Sequence, residues 1–163
     1  MKWNLNKIDG LIKCPKTIKV APTKDMKEEN RHRRNDLTLS GNDNQSFRVF
    51  LRQSLEFPED FSVGLEYLSL EGQRIELIRF NGQHDTPLAN EDSKNLHFCY
   101  HIHKATPERL NEGLYLKHPA LMEGPYASFF GAISSFMKET NVANYIDYFP
   151  YIKQADLFEG DAK

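Results

Sequence analysis

The stretch Phe47-Arg48-Val49-Phe50-Leu51-Arg52 decides the fold, because apolar residues occupy its alternate positions. That period is typical of a β-strand with one buried face. The alternation resumes in the next apolar run, whose apolar members are Phe61, Val63, Leu65 and Tyr67. A further strand over Arg74–Phe80 follows the turn residues Glu71-Gly72, so these two runs predict a β-hairpin.

Apolar residues at helical spacing lie on both sides of these strands. Near the N-terminus this spacing predicts a helix over Leu5–Lys13, which Pro15 ends, and a short strand over Lys16–Val20. A longer helix begins near Pro125, and its apolar face consists of Tyr126, Phe129, Phe130, Ile133, Phe136 and Met137. Hairpin-linked strands followed by helices predict an α+β fold: an antiparallel β-sheet of four or more strands with helices packed on one face.

The length of 163 residues fits one domain spanning 1–163, with a flexible tail from about residue 155. No apolar run approaches the roughly 20 residues needed to cross a bilayer, and the N-terminus lacks the pattern of a signal peptide. Cys14 and Cys99 form no CxxC pair and are too few for a disulfide framework. We therefore expect a cytoplasmic protein with no membrane partner.

Charge is distributed unevenly along the chain. Residues 1–52 carry 12 Lys and Arg against 6 Asp and Glu, whereas the remaining residues carry 9 against 17. The basic half is suited to an anionic partner. Since no run of like charge is longer than the cluster Arg31-His32-Arg33-Arg34, we expect instead that the two halves share one surface and neutralise each other.

Histidines are concentrated in the segment Leu96–Lys104, which the sequence predicts to be a strand. Successive side chains of a strand point to opposite faces. One face therefore carries imidazoles and a thiol, from His97, Cys99, His101 and His103. The opposite face belongs to the core, through Phe98, Tyr100 and Ile102.

Metal binding is one interpretation of this histidine face. His101 and His103 lie about 7 Å apart along a strand, a span that two ligands of one ion can bridge. A site would use His101 and His103, or Cys99 and His101, and a further ligand would have to come from elsewhere, such as His84, Asp85 or His118. Because His-x-His alone is a weak motif, we expect the purified protein to lack stoichiometric zinc and assign no cofactor.

Acid–base catalysis is a second interpretation, because a histidine pKa near 6.5 lets one imidazole accept a proton while another donates one. Two histidines and a cation suffice to cleave RNA through its 2′-hydroxyl. We expect Arg79 to hold phosphate, His84 and His101 to exchange protons, and His103 to orient one of them or bind phosphate. The predicted helix start at Thr106-Pro107 adds backbone N–H groups suited to a phosphate.

A third interpretation gives the histidines no chemical role. They would then be solvated or hydrogen-bonded side chains on the outer face of a sheet, and the protein would be a non-enzymatic interaction module, for example one related to phage or defence systems. Catalysis, zinc binding and protein interaction all remain open at this point.

The segment Arg79-Phe80-Asn81-Gly82-Gln83-His84, followed by His101-Ile102-His103, resembles a family of small uncharacterised bacterial proteins. Phe61-Ser62-Val63-Gly64-Leu65 also resembles that family, which has no assigned activity. A looser similarity connects the histidine pattern with the TumE-type RNase toxins of bacterial toxin–antitoxin pairs, although Asn81-Gly82 stands where those proteins have an Asp-Asn-like pair. The resemblance implies an RNA-acting or RNA-binding protein of toxin–antitoxin or mobile-element type, with RNA and an antitoxin as partners.

Overall fold

One antiparallel sheet organises the fold, as seen in a computed structural model that describes residues 2–20, 26–84, 98–113, 120–149 and 152. Its strands are β1 (Thr17–Val20), β2 (Lys27–Glu29), β3 (His32–Ser40), β4 (Ser46–Ser54), β5 (Phe61–Leu68), β6 (Arg74–Asn81), β7 (His101–Lys104) and β8 (Ala120–Glu123). The helices are α1 (Leu5–Lys13), α2 (Pro107–Asn111), α3 (Phe129–Glu139) and α4 (Tyr145–Tyr148), with a 3-10 turn at Asn42–Asn44. The strand order is β1-β3-β4-β5-β6-β7-β8, with β2 also paired to β3. The predicted α+β class and antiparallel sheet are confirmed.

The alternation that predicted β4, β5 and β6 buries one face of the sheet. Val49 pairs with Leu65, and Leu65 pairs with Ile78, so three apolar side chains meet in one row. A β-bulge follows, because the next pair is Glu66 with Glu76 and leaves Leu77 as an extra residue on β6. Both Leu77 and Ile78 are buried. The bulge thereby interrupts the alternation of side chains along β6, so that Glu76 before it and Arg79 after it point to the same face of the sheet.

Helices α1 and α3 cover the buried face of the sheet. Asn4 caps α1 by accepting a hydrogen bond from the Lys7 amide, and Ser128 caps α3 by accepting one from the Gly131 amide. The buried apolar side chains of both helices belong to the same core as the sheet, as predicted for Phe129, Ile133 and Phe136, while Leu5 at the start of α1 is exposed. Within the described ranges, no helix is long and apolar enough to cross a membrane.

The predicted aromatic helix face is wrong at its start, because α3 begins at Phe129 and not near Pro125. Tyr126 therefore precedes the helix, and its ring stacks on Phe80 with centroids 5.3 Å apart. Phe130 is 52% exposed, since it lies about 100° around the helix from the buried Phe129.

The predicted strand Leu96–Lys104 is also too long. The pairing of β7 with β6 and β8 covers His101–Lys104 only, and Cys99 is an exposed residue of the bend before it. His97 and the tail from about residue 155 lie outside the described residues. Strands β3 and β8 carry too few alternating apolar residues to be predicted, and they enter the sheet through pairing with their neighbours.

Candidate functional site

Two rows of side chains cross the face of the sheet that lies opposite the helices, which we call the outer face. They follow from the cross-strand register of β4 to β7. The first row holds Arg52, Ser62, Asn81 and His101, and the second holds Phe50, Gly64, Arg79 and His103. Three residues that the sequence singled out therefore share this face: Arg79, His101 and His103.

A cleft of about 240 Å³ opens on the outer face. Its floor is fixed by a hydrogen bond from the Ser62 hydroxyl to the Asn81 side-chain oxygen, 3.0 Å long. Two predicted site residues, Arg79 and His84, line it directly. The full lining consists of His32, Arg52, Asp60, Phe61, Ser62, Arg79, Asn81 and His84. It joins cationic and titratable side chains from β3 to β6 with a histidine from the segment after β6.

The other two predicted histidines lie beside this cleft. The ring centroids of His84 and His101 are 5.1 Å apart, and those of His101 and His103 are 4.8 Å apart. Arg79 Nη2 lies 3.4 Å from Nδ1 of His103. The structure therefore brings all four predicted residues together.

Of the two states expected for histidines without a chemical role, solvated or hydrogen-bonded, burial excludes the solvated one for His101 and His103, and His101 is hydrogen-bonded. His101 is 0% exposed and His103 is 4% exposed, although both point to the outer face. A group in the cleft would meet the half-buried His84 first, and the two buried imidazoles stand behind it. Their contribution to stability therefore has to be considered together with any chemical role.

His84 is held by a carboxylate that sequence analysis missed. Its Nδ1 lies 2.9 Å from Asp60 Oδ1. Since a carboxylate only accepts, Nδ1 carries the proton, and Nε2 of the neutral ring is left as the basic nitrogen. The register of the β5–β6 hairpin indicates this contact. Ser62 pairs with Asn81, so Asp60, two residues before Ser62, lies beside the segment that follows Asn81.

Gly82 allows the turn before β5 to come this close. A Cβ at Gly82 would overlap the Glu59 carbonyl oxygen and the ring of Phe61. The Gly82 amide also donates to the Phe61 carbonyl oxygen over 2.9 Å. The glycine of the sequence segment is thus required where the backbone just after β6 passes the turn that carries Glu59 and Asp60.

The hydrogen bonds of the two buried histidines favour opposite tautomers. Nδ1 of His101 lies 2.8 Å from the Cys99 carbonyl oxygen, so that nitrogen donates. Nδ1 of His103 faces the guanidinium of Arg79, which only donates, so that nitrogen accepts. Neutral His101 therefore has its proton on Nδ1, and neutral His103 has it on Nε2.

A buried carboxylate accompanies Arg79. Glu76 Oε1 lies 3.4 Å from Arg79 Nε, which is possible because the bulge at Leu77 turns both side chains to one face. Burial raises the pKa of Glu76 to about 7, Arg79 opposes that rise, and the nearby Glu66 adds to it. A strict two-residue alternation would have put Glu76 and Arg79 on opposite faces, so sequence analysis could not pair them.

A basic row extends from the cleft toward the sheet edge. Lys27 pairs with Arg34, and Arg34 pairs with Arg52, so three cations stand side by side across β2, β3 and β4. Like charges directly opposite each other are unfavourable. In the part of the chain that the structure describes, no ion pair joins these three to a carboxylate, and Arg52 donates instead to Nε2 of His32 over 3.1 Å. Neutralisation between the two halves of the chain therefore does not reach this row, whereas Arg48 is paired with Glu66.

Two other sequence expectations concern metal and phosphate. Among the described residues, no group of three or more His, Cys, Asp or Glu side chains is arranged to hold a metal ion, while Asp85 and His118 lie outside those residues. The expected absence of stoichiometric zinc stays a prediction. The predicted helix start at Thr106-Pro107 is confirmed, because α2 begins at Pro107 just after β7, while phosphate binding there stays a prediction.

Comparison with known proteins finds no match to this chain among family models, curated proteins or solved structures. The resemblance that rests on Arg79–His84 and His101–His103 thus stays a prediction, and so does the function that it implies.

Proposed function

We propose that the cleft binds a phosphodiester of single-stranded RNA and cleaves it through the 2′-hydroxyl. The observation that carries this proposal is the His84–Asp60 pair at the side of a cleft whose other walls supply Arg52 and Arg79. A carboxylate-oriented imidazole is a typical general base, and guanidinium groups suit phosphate oxygens.

The reaction assigns one role to each group. Nε2 of His84 removes the proton of the 2′-hydroxyl, whose oxygen attacks the adjacent phosphorus while the bond from phosphorus to the 5′-oxygen breaks. That leaving oxygen takes a proton from Nε2 of His32, the other histidine that lines the cleft. This nitrogen accepts from Arg52 in the free protein, so the imidazolium forms once Arg52 turns from it to the phosphate. The products are a 2′,3′-cyclic phosphate and a 5′-hydroxyl, and a proton returns from His84 to His32 through water.

His101 and His103 act as positioning residues in this proposal. Full burial keeps His101 from the substrate, but its ring packs edge-on against His84 and limits where that imidazole can lie. His103 limits the position of Arg79, because its Nδ1 contacts Nη2 of the guanidinium while Glu76 contacts Nε. The direct proton exchange first expected between His84 and His101 is therefore replaced by exchange across the cleft.

The basic row also fits an RNA ligand. Phosphates of bound RNA would lie beside Lys27, Arg34 and Arg52 and replace the mutual repulsion of these cations with attraction. As the similarity to TumE-type toxins implies, the proposal places the protein in a bacterial toxin–antitoxin or mobile-element system, with an antitoxin as its protein partner. Cys14 and Cys99 are both free thiols, which fits a cytoplasmic setting.

Cleavage of a labelled single-stranded RNA pool tests the reaction. We expect the parent protein to yield 2′,3′-cyclic phosphate ends with a bell-shaped pH dependence, and His84→Ala to lose about 10²- to 10⁴-fold of the rate. Asp60→Asn is expected to lose less, because it keeps a hydrogen bond to the ring. A substrate with 2′-deoxyribose at every position is expected to bind without being cleaved.

Binding is measured separately from cleavage. Arg52→Ala is expected to weaken RNA and its 2′-deoxy analogue equally, whereas Arg74→Ala, which removes an exposed cation at the far end of β6, serves as the matched control. The RNA proposal is rejected if the protein leaves RNA intact at every pH and binds RNA no more tightly than albumin does. The protein would then be assigned to the non-enzymatic interaction class.

A further inference from the structure

A second depression, which we call the base groove, adjoins the cleft. It has a volume of about 300 Å³ and is lined by Glu56, Phe57, Pro58, Glu59, Asp60, Gln83 and His84. Asp60 and His84 line both depressions. A ligand that places its reacting hydroxyl at His84 can therefore extend into the cleft on one side and into the base groove on the other.

The turn between β4 and β5 holds an aromatic ring at this groove. Phe57 is 69% exposed, and its backbone is fixed by bonds from its amide to Ser54 Oγ (3.1 Å) and from the Asp60 amide to its carbonyl oxygen (2.8 Å). Gln53 Nε2 also donates to the carbonyl oxygen of Pro58 over 3.0 Å. An exposed ring on a fixed backbone is a platform on which a nucleobase can stack.

The remaining lining of the base groove accepts hydrogen bonds. Glu56 and Glu59 contribute carboxylates, and Gln83 contributes an exposed side-chain amide. Glu59 already accepts the hydroxyl of Tyr100, whereas Glu56 forms a 3.2 Å ion pair with Arg31, whose side chain is 79% exposed. Carboxylates repel phosphate, so this groove is unsuited to the backbone of RNA and suited to a base that presents N–H groups.

We propose that the base groove selects guanine as the base of the nucleotide whose 2′-hydroxyl reacts at His84. This inference rests on the proposed function and adds its sequence preference. Guanine presents its ring N1–H and its exocyclic amino group side by side, and one carboxylate can accept from both. Glu56 supplies that acceptor and Phe57 supplies the stacking surface, so cleavage occurs on the 3′ side of guanosine.

Binding of short 2′-deoxy oligonucleotides, which cannot react, tests the selection without requiring turnover. Each probe has one variable position, occupied by guanine, hypoxanthine, adenine or no base, in an otherwise uniform thymine strand. We expect guanine to bind about tenfold more tightly than adenine or the abasic probe, with hypoxanthine between them because it lacks the amino group. Phe57→Ala and Glu56→Gln should each remove most of the preference, while Phe57→Trp should retain it.

The controls separate this inference from the proposed function. Glu71→Gln, at the exposed turn between β5 and β6, is expected to change nothing, and Arg52→Ala is expected to weaken all four probes by the same factor. Equal affinity for the four probes, together with weakening by Arg52→Ala, would overturn the guanine groove and leave the phosphate cleft intact. If no probe binds, both proposals fall.

Discussion

Glu76 makes the stability of this protein dependent on pH near neutrality. Burial raises its pKa from 4.5 to about 7 in the folded protein. The folded state therefore holds this proton more tightly than the unfolded chain does. The stabilising contribution of the protonated carboxyl is complete below pH 4.5 and is lost as the pH rises to about 7.

The size of this effect follows from the shift. Each pKa unit corresponds to 1.36 kcal/mol, so the move from 4.5 to about 7 amounts to about 3 kcal/mol. The side chain is only 15% exposed, which limits screening by solvent. Glu76→Gln, a neutral side chain of similar shape, should therefore raise the free energy of unfolding by up to about 3 kcal/mol at pH 8 and change it little at pH 4.5.

Urea unfolding of the two proteins at pH 4.5, 6 and 8, followed by circular dichroism, measures this difference. Glu71→Gln removes an exposed carboxylate from the turn between β5 and β6 and provides the matched control, with no pH-dependent difference expected. The reasoning is refuted if Glu76→Gln and the parent protein keep a constant difference across the three pH values. A destabilised variant at pH 8 would show that attraction between Glu76 and Arg79 outweighs the cost of burial.

Three further predictions test the fold and the histidine face. Phe129→Ala should cost about 3–5 kcal/mol in urea unfolding, whereas Phe130→Ala, one position along and exposed, should cost far less; equal losses would mean that the face of α3 is misassigned. Gly82→Ala should lower the midpoint of thermal unfolding, because its Cβ has to displace a backbone oxygen of the turn before β5; an unchanged midpoint would contradict that contact. Elemental analysis after dialysis should find no stoichiometric zinc, and one equivalent per chain that is lost in His101→Ala/His103→Ala would favour a metal site.

The fold was predictable where local patterns and burial agree. Phe47–Arg52 has apolar residues at alternate positions and forms a half-buried strand, and Leu5–Lys13 has helical spacing, a proline after it and a matching helix in the structure. His32–Ser40 was not predictable as a strand. Its outward side chains are polar, and the apolar residues of its buried face are Leu37 and Leu39, which are too few to establish an alternating pattern. Its place in the sheet comes from pairing with β4, a long-range interaction that no local period encodes.

The candidate site was predictable in its residues but not in its arrangement. Alternation correctly places His101 and His103 on one face, and the hairpin brings Arg79 to the same face. Burial of the two histidines was missed, because strand periodicity distinguishes the two faces of a sheet but does not show whether other parts of the chain cover the outer one. The bulge that joins Glu76 to Arg79 was not recognised, because neither a glycine nor a proline marks it in Ile75–Ile78.

The core and the candidate site are linked through one buried phenol. The hydroxyl of Tyr126 accepts from the Asn81 amide over 3.0 Å and lies within hydrogen-bond distance of the carbonyl oxygens of Asn81 and His101, which are paired residues of β6 and β7. Burial raises the pKa of Tyr126, so it remains a neutral phenol that can donate. Its ring stacks on Phe80 beneath the sheet. Tyr126 therefore packs in the core on the helix side of the sheet and also fixes the backbone positions of Asn81 and His101, whose side chains lie on the outer face. The geometry around His84 consequently depends on packing on the opposite side of the sheet.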